Sequence, residues 1–427
     1  MALRILLLLV VLAIFYGCGQ STSPPEQGEK EAGVQPKSET SSGPAQQETT
    51  QQKSEAANTN SVGRCADEGS TVGQQAEAGG GEVSNGKIAF SRSTFSRISE
   101  STAANTDIHL TDGEGAHETQ LTHTKQFEEY PVWSPNGQKI AFIRGSDLYV
   151  MNADGTKQTQ LAEYVREANP AWSPDGHKIA FSRGVSLSEP IGLYVINADG
   201  TNEADLIPDS FSGNSEDQTQ LGSPAWSPDG NKISFASRTQ TDTGASASSA
   251  AASAPLEELS GIYLINVDGT GLCKLTSVSE DNFLQGVGPV WSPDGNKLAF
   301  YDFGAINVIN ADGSGRKELT GGNAPPQHAW SPDGQRIAFI DASSELSVIN
   351  ADGRGLRRLT DTPGQLPVAL PTWSPDSEKI AYSCPFEDTL HPRTDLCVIN
   401  ADGRGWKRIA SKVTPVGFQV TSSWGRG

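Results

Sequence analysis

The chain has 427 residues, with 45 glycines, 25 prolines and only 35% hydrophobic residues. That size and turn-rich composition suit one large β domain of many short strands, with flanking segments. The formal net charge is -19, which speaks against a nucleic-acid partner, because phosphate contacts need Lys/Arg patches.

The first 17 residues read as a lipoprotein-type signal peptide. Arg4 is a short positive start, and Ile5 to Tyr16 form an unbroken apolar run of 12 residues, too short for a comfortable membrane span. Gly17-Cys18 at the end of that run resembles the bacterial lipobox, with Phe15-Tyr16 departing from its preferred residues. The resemblance implies a lipid on Cys18, and so an exported, membrane-anchored lipoprotein at the cell envelope, on its periplasmic side or outer surface. Residues 18–83 are rich in Ser, Gln, Glu and Gly and lack aromatics. Such a segment cannot bury enough apolar surface to order itself, and reads as a disordered tether.

From 84 to 427 the chain repeats itself. A strand motif recurs seven times, as Lys87-Ile-Ala-Phe90, Lys139-Ile-Ala-Phe142, Lys178-Ile-Ala-Phe181, Lys232-Ile-Ser-Phe235, Lys297-Leu-Ala-Phe300, Arg336-Ile-Ala-Phe339 and Lys379-Ile-Ala-Tyr382. An Asp-Gly turn follows each, with the aspartate at 112, 154, 199, 268, 312, 352 and 402. A tryptophan marks a third element: Trp133, Trp172, Trp226, Trp291, Trp330, Trp373 and Trp424, the first six followed by Ser-Pro. Asp-Gly supplies the positive φ of tight turns, and the proline ends a strand. A tryptophan on one short strand must find a neighbouring unit to bury it. Each unit therefore has four strands: A ending at Trp-Ser-Pro, B at Lys-Ile-Ala-Phe, C before Asp-Gly and D near Leu-Thr. The predicted fold is all-β, a seven-bladed β-propeller of four-stranded antiparallel blades.

Trp133 to Phe142 and Leu148 to Gly155 resemble the WD-like propeller repeats of the TolB family. The family's N-terminal α/β domain and six blades differ from this tether and seven repeats, so the expectation is a TolB-like lipoprotein distinct from the Tol-system subunit.

The repeat opens on a B strand at Lys87 and ends on an A strand at Trp424. The C-terminal strand is therefore expected to complete blade 1 and close the ring. The short A–B and C–D turns fall on one face. The D–A and B–C loops fall on the other and vary widely, notably about 237–259, 207–222 and 385–395. Recognition is expected on this loop-rich face. Glu128, Glu129, Glu163, Glu167, Glu216, Asp217, Glu280 and Asp281 are expected to make it negative, which suits a basic envelope protein or a cation. His328 stands where the repeat usually has proline, near the expected channel.

Cys384 and Cys397 flank the blade 7 B–C loop and suit a cross-strand disulfide. Cys65 and Cys273 have no assigned partner and are read as paired together, paired elsewhere or free. No C-x-x-C, G-x-S-x-G, Walker A or H-E-x-x-H motif occurs, and no metal or cofactor is expected. The leading functional reading is a non-enzymatic, monomeric binding or scaffold protein. The alternatives are a propeller enzyme, a lyase or glycan-acting hydrolase, and a carbohydrate-binding module using loop aromatics.

Overall fold

The computed structural model describes Cys65 and residues 85–98, 101–165, 169–184, 192–207, 217–241, 260–279, 288–321, 327–361, 369–385, 393–415 and 422–426. Within these residues the chain forms seven antiparallel sheets. Blade 1 takes β1 (Asn85–Ile98), β2 (Ser101–Asp112) and β3 (Thr119–Gln120). Blade 2 is β4 (Glu128–Trp133), β5 (Lys139–Arg144), β6 (Asp147–Asn152) and β7 (Thr159–Ala162). Blade 3 is β8 (Ala171–Trp172), β9 (Lys178–Arg183), β10 (Gly192–Asn197) and β11 (Ala204–Asp205). Blade 4 contains β12 (Asp217–Leu221), β13 (Ala225–Trp226), β14 (Lys232–Thr241), β15 (Gly261–Asn266) and β16 (Cys273–Ser277). Blade 5 is β17 (Val290–Trp291), β18 (Lys297–Asp302), β19 (Ala305–Asn310) and β20 (Lys317–Glu318). Blade 6 is β21 (His328–Trp330), β22 (Arg336–Ile340), β23 (Leu346–Asn350) and β24 (Arg357–Arg358). Blade 7 is β25 (Ala369–Trp373), β26 (Lys379–Pro385), β27 (Arg393–Asn400) and β28 (Lys407–Pro415), and β29 (Ser422–Arg426) ends the chain.

The last strand closes the ring as its sequence phase requires. β29 pairs antiparallel with β1, placing Trp424 opposite Ile88, so blade 1 draws on both ends of the repeat region. Each A strand also approaches the A strands of both neighbours, from β29 through β4, β8, β13, β17, β21 and β25 back to β29. The side chain of Trp424 lies outside the described residues.

The core is divided among the seven joints between blades. Alternation along strand B explains this. Successive side chains of Lys-Ile-Ala-Phe point to opposite faces. At the joint of blades 2 and 3, Ile179 and Phe181 of β9 face backwards onto Ala141, Ile143 and Val150 of blade 2. Ala180, on the other face of β9, receives Trp226 and Phe235 of blade 4. Large residues face one neighbour and the small alanine makes room for the next.

The tryptophans complete the joints. The indole N–H of Trp172 donates to the carbonyl of Val132 at 3.0 Å, and Trp226 to Ala171 at 3.0 Å. Trp291 reaches Ala225, Trp330 reaches Val290 and Trp373 reaches Ala329 in the same way. Each acceptor is the residue before the preceding blade's tryptophan. Five joints thus share one hydrogen bond, and these five rings are buried. Trp133 is only half-buried.

Two segments assigned to loops by their sequence are strands. Residues 217–221 and 237–241 pair with each other, Leu221 opposite Ser237 and Asp217 opposite Thr241. Threonine and glutamine alternate there, and β-prone polar residues extend a hairpin that the adjoining core has already registered.

Candidate binding face

The two faces of the ring are built differently. Every A–B turn between described strands spans five residues, as in 134–138 and 374–378, and every C–D turn spans six, from 113–118 to 401–406. The Trp-Ser-Pro-Asp turn locks itself. Ser173 donates its hydroxyl to Asp175 at 2.5 Å and accepts the Lys178 N–H at 2.9 Å, while Asp175 also accepts the His177 N–H. The Ser173 hydroxyl, together with the His177 amide, holds the Asp175 carboxyl below the usual range. In the C–D turn, Gly200 adopts φ 86°, a conformation that costs glycine little. Asp199 accepts from the Thr201 amide and hydroxyl.

The opposite face varies. Its B–C connections run from two residues, 145–146 in blade 2 and 303–304 in blade 5, to nineteen, 242–260 in blade 4. Exposed aromatic side chains stand here: Phe127 before β4, Tyr164 after β7 and Phe303 in the blade 5 turn, the last 68% exposed. Tyr130 is partly buried against the joint of blades 2 and 3. Phe303 escaped the sequence reading because its two-residue turn follows an ordinary strand. Phe211, Phe283 and Phe386 lie outside the described residues.

The predicted acids divide sharply. Glu163 is exposed, and Glu129 is half-buried in β4, opposite Ile143. Glu128 is not part of the surface; it is fully buried, and this corrects its expected role as a binding acid. Its carboxylate accepts from Arg144 Nε at 2.6 Å and from the Thr124 hydroxyl at 3.1 Å. Arg144 stacks 4.5 Å over the Tyr149 ring and reaches Gln158, so one side chain joins strand A, strand C and the C–D turn. Asp107 lies close by, nearly buried, bonded to Gln120 and the Thr124 amide. Burial, reinforced by the Glu128 charge, raises its pKa. Glu167, Glu216, Glu280, Asp281 and the lipid candidate Cys18 lie outside the described residues, as does the Asp217 side chain.

His328 opens β21, half-buried and paired through its backbone with Phe339. Among the described residues no group of three His, Cys, Asp or Glu side chains is placed to hold a metal ion.

Arg144 belongs to a series. Blades 1 and 3 carry the arginine at the same place in strand B, with Arg92 bound to Glu118 and Arg183 to Glu203. Blades 5 and 6 reverse the polarity: Asp302 and Asp341 stand on or beside strand B and bind Arg316 and Arg358 from the strand D side. Blade 7 binds Asp395 to Arg408, 2.8 Å apart. Its equivalent B position is Cys384, disulfide-bonded to Cys397 with the Cα atoms 5.8 Å apart. Cys65 and Cys273 are also joined, at a Cα separation of 5.0 Å. The Cys65 N–H donates to the Lys274 carbonyl at 3.4 Å, so a residue assigned to the tether is stapled to the outer strand of blade 4.

Residues 82–245 match the family model of the TolB beta propeller domain. The ring is a TolB-like propeller. Among solved structures it is similar to TolB from Acinetobacter baumannii, at 17% identity and a TM-score of 0.45, over 80% of this chain and 66% of that one. The manganese complex of an oligogalacturonate lyase gives 14% identity and a TM-score of 0.50, over 74% of this chain and 97% of that one. An oligogalacturonate lyase from Vibrio parahaemolyticus gives 15% identity and a TM-score of 0.47, covering 68% and 83%. At these identities the likeness is one of fold alone, and fold does not fix activity. No curated protein matches the chain.

Proposed function

We propose that this protein is a non-enzymatic binding scaffold, held at the cell envelope through Cys18, whose loop-rich face engages a protein partner. The supporting observation is the asymmetry of the ring. One face consists of self-locked turns of fixed length, and the other presents connections of two to nineteen residues with Phe127, Tyr164 and Phe303 exposed among them. Rigid scaffolds that vary on one face use that face for recognition, and exposed aromatics supply contact area at low entropic cost. With Glu128 turned inward, Glu163 and the aromatics carry the contact, and the preference for a basic partner rests on fewer charges.

Crosslinking in the native envelope, followed by mass spectrometry, tests this. Tyr164→Ala and Phe303→Ser should remove the captured partner while leaving the melting temperature unchanged. A partner set identical to that of the unaltered chain overturns the reading.

A further inference from the structure

The outer edge of blades 6 and 7 differs from the rest of this acidic molecule. From the Asp-Gly turn into strand D, blade 6 reads Asp352-Gly-Arg-Gly-Leu-Arg-Arg and blade 7 reads Asp402-Gly-Arg-Gly-Trp-Lys-Arg, three cations against one aspartate in each. The same stretch holds Asp112, Glu114 and Glu118 in blade 1, and Asp199, Glu203 and Asp205 in blade 3, with no Lys or Arg in either.

These side chains are exposed. Arg358, Arg408 and Lys407 spend their charge on Asp341, Asp395 and Glu114. Among the described residues Arg354, Arg357 and Arg404 form no ion pair, and Lys317 of blade 5 continues the row by donating to the Asp352 carbonyl. Two large apolar side chains rise between the cations at equivalent places: Leu356, 62% exposed, and Trp406, 54% exposed. The Trp406 indole lies within reach of the buried Tyr382 side chain while its ring faces outward.

We infer that this arc is a docking surface for an anionic lipid bilayer. Arg and Lys on one strip, with a tryptophan and a leucine between them, match the two halves of a membrane interface: headgroup phosphates for the cations and the acyl boundary for the apolar rings. The arc runs along the C–D turns of blades 6 and 7 into strand D, a row of exposed side chains at the periphery of the short-turn face, and a flat surface meets such a row. Its neighbour on the circumference is blade 5, whose Arg316 bonds to Thr276 and Ser277 of the stapled blade 4 strand. The inference goes beyond the scaffold reading: docking would leave the loop-rich face free for its partner, whereas the anchor alone leaves orientation open.

The test uses the full acylated chain in two kinds of vesicle, phosphatidylglycerol and phosphatidylcholine, each with lipids brominated near the glycerol end. The signal is quenching of Trp406, obtained by difference from Trp406→Phe. Quenching is expected in phosphatidylglycerol only, lost in 0.5 M salt and lost in Arg357→Glu/Arg404→Glu, while Lys125→Glu on the opposite face leaves it intact. Association with both vesicles without quenching overturns docking and leaves the anchor standing. Association with phosphatidylglycerol alone, abolished by the arc substitutions, keeps docking and removes the anchor. Equal quenching in both lipids overturns the anionic preference. Absent quenching, with arc-dependent crosslinks to an acidic protein, assigns the surface to that protein and overturns the proposal.

Discussion

Glu128 and Glu163 are the same residue type on the two sides of blade 2, yet they do opposite work. Glu163 points into water. Glu128 is sealed beneath the loops with Arg144, whose guanidinium is itself mostly covered. Removing one member of a buried pair strands the other charge, at a cost of about 3–5 kcal/mol. Glu128→Ala should therefore lower stability by that order in denaturant titration, whereas Glu163→Ala should leave the midpoint unchanged; equal midpoints would show that the pair does not hold the joint. Sequence could not separate these two acids, because the burial of Glu128 depends on an arginine sixteen residues away across a hairpin. His109 allows a second test at this scale. Burial, and then the Arg92 charge, lowers its pKa against the pull of Glu118. The ring therefore holds a neutral imidazole, while the unfolded chain takes up a proton near pH 6.5. The contribution of His109 is complete above about pH 6.5 and is lost as pH falls below it. The melting temperature should begin to decline as pH falls below about 6.5, above the range where carboxylates titrate, and His109→Gln should flatten that decline. An unaltered slope in the variant would assign the acid sensitivity elsewhere.

At the scale of the element, the strands were legible because each face of a blade is a joint with a fixed requirement. The branched, small and aromatic positions of strand B are set by the neighbours on either side, so that pattern survives in all seven copies. The tryptophans were legible as rings needing a neighbour; their shared hydrogen bond to the preceding A strand was not, since it joins residues 40 to 66 positions apart. Trp226→Phe keeps an aromatic ring and deletes that bond, leaving the half-buried Ala171 carbonyl without the indole. The expected loss is about 1–3 kcal/mol, whereas Leu356→Ala on the exposed edge should be neutral. If both variants melt alike, the indole bonds do not contribute to the joints. The arginine clamps were hidden for a related reason. The ion pair links strand B to the end of the C–D turn, and its polarity reverses between blades 3 and 5, so no single column of the repeat carries a constant charge. The long hairpin arms of blade 4 were hidden too, because their threonines and glutamines read equally well as loop.

The whole molecule is held by two closures of different origin. The first was visible in the phase of the repeats: without β29, β1 would present an open edge in a ring whose other blades have four or five strands, and Ile88 and Phe90 would lose part of their cover. Deleting residues 418–427 should abolish cooperative unfolding, and a truncated chain with an unchanged melting temperature would refute the closure. The second, Cys65 to Cys273, could not be assigned from spacing, because any unpaired cysteines of an exported chain are candidates for each other. It encloses 208 residues, against 13 for Cys384 to Cys397. If a disulfide acts by restricting the unfolded chain, the longer loop contributes about 5 kcal/mol and the shorter about 3 kcal/mol. Cys65→Ala should then destabilise blades 1–4 more than Cys384→Ala destabilises blade 7, although Cys65 stands ahead of the first strand and Cys384 within a buried one. The two variants also separate mechanisms. Loss of packing would make Cys384→Ala the worse, since that side chain belongs to the joint of blades 6 and 7. Loss of loop closure would make Cys65→Ala the worse, and denaturant midpoints measured side by side decide between them.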